Sequence, residues 1–121
     1  MSGLTLSEWY IKRLTQLWVE RGNLISAQHM FDEGLDYFLS MLFALNNQLV
    51  ADIKWRYYCA EKLILLPSNF QERIKATMIL RSFSVEELER RKTAFMEMWQ
   101  EMLPIVEKEV QMSYAEILPL V

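Results

Sequence analysis

An apolar stretch at residues 31–50 constrains the fold of this chain more than any other feature. Its large apolar side chains recur at intervals of three or four residues: Phe31, Leu35, Phe38, Leu42, Leu45 and Leu49. That spacing places them on one face of a helix. Leu39, Met41 and Phe43 widen the face until the middle of the helix is apolar almost all round, so it must be buried on several sides. We therefore predict a central helix, capped by Ser26 and running to about Leu49, with other helices around it.

Four further segments carry helical periodicity together with residues that begin or end helices. In chain order, the predicted boundaries are Thr5 or Ser7 to Gly22-Asn23, Asp52 to Pro67, Ser68 to about Leu80, and Ser84 onward through Val110. The predicted apolar stripe of the first helix is Leu6, Trp9, Leu14, Leu17 and Trp18. Pro104 lies inside the last helix and predicts a kink, because proline removes one backbone hydrogen bond. Gly34 inside the central helix predicts close approach by a neighbouring helix.

The composition favours helices joined by short connections. The chain has 121 residues, of which 52% are hydrophobic, and only three are Gly and three are Pro. We predict a single all-α domain over residues 1–121, with residues 114–121 peripheral. Short connections favour antiparallel neighbours, so the predicted architecture is an antiparallel up-and-down helical bundle of four to five helices. Its predicted core contains Leu35, Phe38, Leu42, Leu45, Leu63, Ile74, Phe95 and Trp99.

Several classes of function and location are disfavoured by what the chain contains. One His and one Cys are too few for a zinc site, and His29 is the sole base available to a catalytic triad, so we expect neither a metal site nor a cofactor nor a catalytic residue. The net charge of −3 is not that of a protein that binds duplex nucleic acid. The first residues lack a basic start followed by an apolar run, which predicts no secretion signal, no membrane anchor and a cytoplasmic protein.

One region combines residue types that suit ligand binding. Residues 46–48 (Asn-Asn-Gln) close the predicted central helix, and residues 54–58 (Lys-Trp-Arg-Tyr-Tyr) place cations among aromatic rings. Amides, cations and flat rings suit a pocket for a planar, phosphate-bearing or sugar-like ligand. A second interpretation stays open, in which the aromatic rings pack in the core and Lys54 and Arg56 extend outward to solvent.

The same region carries a resemblance to a known family. The run LFALNNQLVADIKW at residues 42–55, followed by EKLILLP at residues 61–67, resembles the C-terminal helical domain of nucleotidyltransferase-like proteins. The matching pairs are Leu45-Asn46, Lys54-Trp55 and Leu66-Pro67. The chain departs from the family pattern at Asn47 and Gln48, where the family tends to have Arg or Lys, at Leu49, where it tends to have Tyr, and at Ala51, where it has Pro.

The resemblance implies a non-catalytic helical substrate-binding domain that works with a nucleotidyltransferase catalytic domain, in the same chain or a separate one. The catalytic part of that family is an α/β domain with a Gly-Ser motif and metal-binding aspartates, and this sequence has neither the motif nor strands to carry it. By position, the implied substrate-binding residues are Asn46, Lys54, Trp55 and Asp36, with Glu33 as an alternative to Asp36. The implied ligand is a nucleotide or another small-molecule substrate. This chain alone is expected not to be an enzyme.

A different class of function is a helical protein–protein interaction or dimerisation module that binds no small molecule. The chain has more apolar material than one bundle of its size requires, and exposed apolar patches are usually covered. We therefore expect a homodimer, with contacts from the C-terminal residues Ile117, Leu118, Leu120 and Val121 and from the fifth helix around Met96 and Met98.

Overall fold

All regular elements are helical in the computed structural model, which describes residues 2–111 and 113–117. In chain order they are α1 (Ser2–Glu8), a π-helical segment (Trp9–Leu14), α2 (Thr15–Glu20), α3 (Leu24–Leu45), a 3₁₀ turn (Ile53–Trp55), α4 (Arg56–Ala60), α5 (Phe70–Met78), α6 (Val85–Val110) and α7 (Tyr114–Ile117). The all-α prediction is therefore confirmed for the part of the chain described. Because α1, the π-helical segment and α2 are contiguous, they form one long first helix. The short helix α7 lies where no helix was predicted.

The central helix α3 is shorter at its end than predicted. Its N-cap is Asn23, whose side-chain oxygen accepts a hydrogen bond from the Ser26 N–H at 3.0 Å, so Ser26 is not the cap. The helix ends at Leu45, because Asn47 adopts a left-handed conformation with φ of 56° that asparagine tolerates better than most residues. Leu49 lies beyond this end and is 94% exposed. The apolar stripe of the helix therefore stops at Leu45.

The first helix buries a different face from the one predicted. Its fully buried residues include Leu4, Ser7, Ile11 and Thr15, whereas Trp9 of the predicted stripe is exposed. The Ser7 hydroxyl donates to the Leu4 carbonyl at 2.9 Å, and the Thr15 hydroxyl donates to the Ile11 carbonyl. Polar side chains that bond to their own helix in this way can be buried, so apolar spacing alone selected the wrong face. Thr5 and Ser7 accordingly lie inside α1 and do not cap it.

Small residues allow the first helix to lie close against α3. A Cβ atom added to Gly34 would collide with the Ile11 side chain, and one added to Gly3 would lie 2.5 Å from the Tyr37 carbonyl oxygen. Only glycine fits at such contacts. The close approach predicted from Gly34 is therefore confirmed, and Gly22, with φ of 72°, ends the first helix as predicted.

The predicted third helix, from Asp52 to Pro67, is helical only through Ala60. Asp52 caps it as predicted, since its side chain accepts from the Ile53 N–H at 2.8 Å. Residues 61–69 then follow an irregular path to α5. Ser68 does not cap α5, because its N–H and hydroxyl both donate to the carboxylate of Glu101 on α6.

The long helix α6 completes the core against α3. The Phe95 ring lies edge-on to Phe31 and Phe38, with ring centroids 6.4 and 5.1 Å apart. The indole N–H of Trp99 donates to the Leu4 carbonyl at 2.9 Å and so links α6 to the first helix. Of the eight predicted core residues, only Leu63 is half-buried, and the other seven are buried. Pro104 lies inside α6, and the kink predicted there stays a prediction.

The surface predicted for dimer contacts is only partly available. Met98 faces inward with Phe95 and Met102 and is fully buried. It therefore cannot contact a second copy of the chain. Met96 is half-buried. Leu118, Leu120 and Val121 lie outside the described residues, as does the side chain of Ile117.

Replacing Leu42 by Ala should lower the free energy of unfolding by about 2–5 kcal/mol, because this side chain is fully buried and its loss leaves a cavity. Urea denaturation followed by circular dichroism measures the change. Leu49→Ala is the matched control, and because Leu49 is exposed it should change stability by no more than about 0.5 kcal/mol. Equal effects of the two substitutions would contradict this description of α3.

The start of α6 predicts a dependence of stability on acid pH. The Ser84 hydroxyl accepts from the Glu87 N–H at 3.2 Å, as a capping box requires, but the Glu87 carboxylate accepts from Arg90 and from the Arg81 N–H instead of returning to Ser84. The side-chain hydrogen bond from Arg90, followed by that backbone N–H, lowers the pKa of Glu87 from 4.5 to about 2. A depressed folded-state pKa stabilises the fold above the unfolded pKa, and this stabilisation is lost as the pH falls towards the folded value.

Glu87→Gln should therefore lower the free energy of unfolding at pH 7. It should also reduce the loss of that free energy as the pH falls from 4.5 to about 2, which is the interval between the ordinary and the lowered pKa of Glu87. Urea denaturation at several pH values across this interval measures both effects. Glu86→Gln, in the same first turn of α6 and exposed, is the control for stability at pH 7 and should have the smaller effect. An unchanged acid profile in the Glu87 variant would refute the assignment.

Candidate functional site

Asn46, the first of the predicted site residues, has an amide that is fully used by the protein itself. Its side-chain nitrogen donates to the Leu42 carbonyl at 2.7 Å and to the Leu65 carbonyl at 2.9 Å. Its side-chain oxygen accepts from the Ile64 and Leu65 N–H groups at 3.1 and 2.7 Å. These four bonds exhaust the donors and acceptors of an amide. The hydrogen bonds of Asn46 therefore hold the irregular segment after α4 against the end of α3.

Lys54 and Trp55 lie in the 3₁₀ turn before α4, and both side chains are exposed. The Trp55 ring packs edge-on against Tyr58, with ring centroids 5.8 Å apart. Asn46 lines one cavity of the surface and Asp36 lines another, and neither Lys54 nor Trp55 lines either of these two. The structure thus does not gather the four predicted residues around one cavity, and their joint role stays a prediction.

The cavity at Asp36 has the more informative chemistry. It measures about 330 Å³ and lies where α3, α4 and α6 meet the end of α5. Its lining residues are Gln28, Asp32, Leu35, Asp36, Tyr57, Met78, Leu80 and Arg91. Gln28, Asp32 and Asp36 are spaced by four residues, so they follow one another along a single face of α3. The cavity therefore has a polar row on one helix and apolar side chains beside it.

Arg91 is the cation that lines this cavity, and it is only 4% exposed. Its guanidinium donates to the Thr77 carbonyl at 2.9 Å, to the side-chain oxygen of Gln28, and to the Asp32 carboxylate at 3.2 Å. The group also lies over the Phe31 ring, 4.2 Å from its centroid. A buried charge is tolerated when it is paired and hydrogen-bonded in this manner. Arg91 is consequently fixed in place by α3 and α5.

Gln28 is 7% exposed, and its amide nitrogen has no hydrogen-bond partner. Arg91 determines this orientation, because the guanidinium donates and so must face the amide oxygen, which leaves the amide nitrogen turned away from it. Within residues 2–111 and 113–117, no other buried side-chain nitrogen or oxygen lacks a partner. An unsatisfied buried donor costs about 1–3 kcal/mol. Gln28 therefore lines this cavity and has a buried amide nitrogen without a partner in the protein.

Asp36 and Tyr57 form the other end of the polar lining. One carboxylate oxygen of Asp36 lies 3.5 Å from the Arg56 guanidinium. Burial, and after it the charges of Asp36 and Asp32, raise the pKa of Tyr57 to about 12. The Tyr57 hydroxyl therefore stays protonated at neutral pH, where it can both donate and accept a hydrogen bond.

Sequence reasoning included Asp36 among the site residues and Tyr57 in the run at residues 54–58 that suits a pocket, but it missed Gln28 and Arg91. Residues 90–92 (Arg-Arg-Lys) form a run of like charges, and such a run on a helix is usually a solvated face. One signal was present, since Arg91 stands three residues after Leu88 and four before Phe95, which puts it in the buried register of α6. An arginine in a core register implies a buried partner, and here the partners are Gln28 and Asp32.

Residues 2–111 and 113–117 contain no group of three or more His, Cys, Asp or Glu side chains placed to hold a metal ion. None of the helices described is both long enough and apolar enough to cross a membrane.

The Asn46 contacts predict a structural effect of substitution. Asn46→Ala should lower the free energy of unfolding by about 1–3 kcal/mol, because the partly buried N–H and carbonyl of Leu65 would both lose the Asn46 side chain as their partner. Thermal and urea denaturation measure the loss. Gln48→Ala, at an exposed neighbouring position, is the control and should have little effect. A neutral Asn46→Ala would show that these four bonds do not hold the segment.

Comparison with known proteins adds no assignment to this geometry: no protein-family model, no curated protein and no solved structure matches the chain.

Proposed function

We propose that this chain is a non-catalytic helical substrate-binding domain that works with a nucleotidyltransferase catalytic domain not contained in it. Its small-molecule site is the cavity lined by Gln28, Asp36, Tyr57 and Arg91. The observation that carries the proposal is the buried Gln28 amide nitrogen, which has no partner in the protein. A bound ligand that brings an acceptor atom would satisfy it.

The nucleotidyltransferase part of the proposal is supported by the motif pairs Leu45-Asn46 and Leu66-Pro67. Asn46 bonds to the Leu65 backbone immediately before the second pair, so the contacts join two parts of the motif that are about twenty residues apart in sequence. These contacts hold the segment after α4 in one position. A domain that binds a separate catalytic domain needs such a fixed surface. Lys54 and Trp55, exposed beside this connection, would then face the catalytic domain.

An antiparallel up-and-down arrangement of the long helices belongs to the same proposal. Gly3 lies against Met41, whereas Ile11 lies against Gly34, so contacts along the first helix descend along α3. Arg91 contacts Asp32 near the beginning of α3, and Arg90 contacts the carbonyls of Ala76 and Ile79 at the end of α5. These pairings support an alternating order of the first helix, α3, α5 and α6.

Nuclear magnetic resonance of the ¹⁵N-labelled chain tests the ligand site. Titration with a panel of nucleotides, sugars and amino acids should include a compound that shifts the side-chain amide signals of Gln28. The exposed Gln16 amide, which contacts only Glu20, is an internal control and should not move. The site is refuted if no compound of the panel shifts the Gln28 amide signals at millimolar concentration.

Co-expression with nucleotidyltransferase domains encoded in the source genome tests the protein partner. If none of these domains co-purifies with the chain, the proposed partnership is refuted.

A second candidate function, an interaction or dimerisation module without a small-molecule ligand, is favoured by a separate observation. Large apolar side chains are exposed along residues 49–64, namely Leu49, Val50, Ile53, Trp55, Tyr58 and Ile64. Leu49 and Ile64 line the same cavity, so they lie near each other on the surface. Exposed apolar groups that cluster in this way are typical of protein–protein contacts. A homodimer through this surface would cover them.

The double substitution Leu49→Lys with Ile64→Lys should convert a dimer to a monomer, because two charges would then have to be desolvated at the contact. Light scattering across a concentration series measures the mass. Ile25→Lys, which alters another exposed apolar side chain near the start of α3, is the control and should leave the mass unchanged. A wild-type chain that is monomeric at high micromolar concentration would exclude the dimer.

A further inference from the structure

We infer that the cavity at Gln28, Asp36 and Tyr57 takes a neutral polyhydroxylated small molecule, such as a sugar or cyclic polyol, in preference to a phosphorylated one. The inference rests on the proposed function, because it names the class of ligand for the same site. It is argued from the hydrogen-bonding groups, the apolar lining and the charge balance of the cavity.

The hydrogen-bonding groups of the cavity suit hydroxyl groups. Gln28 lines the cavity and has a buried amide nitrogen without a partner in the protein, whereas Asp36 contributes carboxylate oxygens that only accept. A hydroxyl group both accepts and donates, so one such group can bond to an amide and another to a carboxylate. The protonated Tyr57 hydroxyl can bond to either kind of atom.

The spacing of the polar groups favours several hydroxyls over one. Gln28, Asp32 and Asp36 follow one another at intervals of four residues on α3. A rise of about 1.5 Å per residue separates successive members of this row by about 6 Å along the helix axis. A single hydroxyl cannot span such a row. A ring that carries hydroxyls on several carbons can contact more than one member.

The apolar lining suits the carbon–hydrogen face of such a ring. Leu35, Met78 and Leu80 contribute apolar side chains to the same cavity. Leu35 is buried and forms a fixed wall, whereas Met78 and Leu80 are partly open to solvent at the end of α5 and after it. A polyol has polar edges and apolar ring faces, so it can use both kinds of lining together.

The charge balance disfavours an anionic ligand. Asp32 is paired with Arg91, and Asp36 is paired with Arg56. The Arg91 guanidinium has five N–H donors, and three of them are directed to Thr77, Gln28 and Asp32, so most of its hydrogen bonds are made within the protein. A phosphate in the cavity would instead approach two carboxylates of like charge. The charged side chains that line the cavity are two carboxylates and one guanidinium, which gives the lining a net charge of −1 and disfavours an anionic ligand.

Calorimetric titration of the 121-residue chain with D-glucose, myo-inositol and D-glucose 6-phosphate, at constant ionic strength, tests the inference. At least one neutral probe should bind, and D-glucose 6-phosphate should bind at least about tenfold more weakly than D-glucose, as expected from like-charge repulsion. Asp36→Asn should reduce that difference to about threefold or less, because it removes one of the opposing charges. Glu89→Gln, at an exposed position of α6 where the carboxylate pairs with Lys92 and does not line the cavity, is the matched control and should preserve the difference.

Tyr57→Phe is a second variant, for use if Asp36→Asn does not fold. It removes only a hydroxyl group and should weaken binding of the neutral probe. Equal or tighter binding of D-glucose 6-phosphate would overturn the ligand class while leaving a small-molecule site in place. Failure of all three probes, with other compounds still shifting the Gln28 amide signals, would also overturn the class alone. Failure of every compound to shift those signals would overturn both the class and the proposed function.

Discussion

The buried guanidinium of Arg91 is the interaction on which the fold and the candidate site both depend. It joins α6 to α3 through Gln28 and Asp32, and to α5 through the Thr77 carbonyl. A buried cation is costly without such partners, so these helices are tied to one another by the need to satisfy it. The same contact orients the Gln28 amide and leaves its buried nitrogen without a partner in the protein. The contact between Arg91 and Gln28 therefore both holds the helices together and sets the hydrogen-bonding groups of the candidate site.

Asn46 gives a complementary example of a polar group that serves the architecture. Sequence reasoning placed it in the ligand site because amides, cations and aromatic rings follow one another closely there. The structure uses its amide to hold the Leu65 backbone against the end of α3. Gln28 is the opposite case, because a residue that no motif marked retains an unused donor. Whether an amide is free or engaged depends on its three-dimensional neighbours, and residue type alone does not show it.

Sequence periodicity predicted the parts of the fold that apolar burial controls. The stripe from Phe31 to Leu45 is buried as predicted, and the glycines at positions 22 and 34 act as their local requirements suggest. Periodicity failed where polar groups are buried by pairing. Ser7 and Thr15 are buried because their hydroxyls bond to their own helix, and Arg91 is buried by partners about sixty residues away in sequence. Such long-range pairings are not visible in local spacing.

The central claim is that the fold holds Gln28 with a donor free for a ligand, and a crystal structure of the chain soaked with D-glucose tests it most directly. The account predicts a ligand oxygen about 2.7–3.2 Å from the Gln28 amide nitrogen, with the amide oxygen still bonded to Arg91. It also predicts that the ring lies beside Leu35 and Met78, within reach of the Asp36 carboxylate. A Gln28 amide nitrogen bonded to another protein group, with no ligand in the cavity, would contradict it.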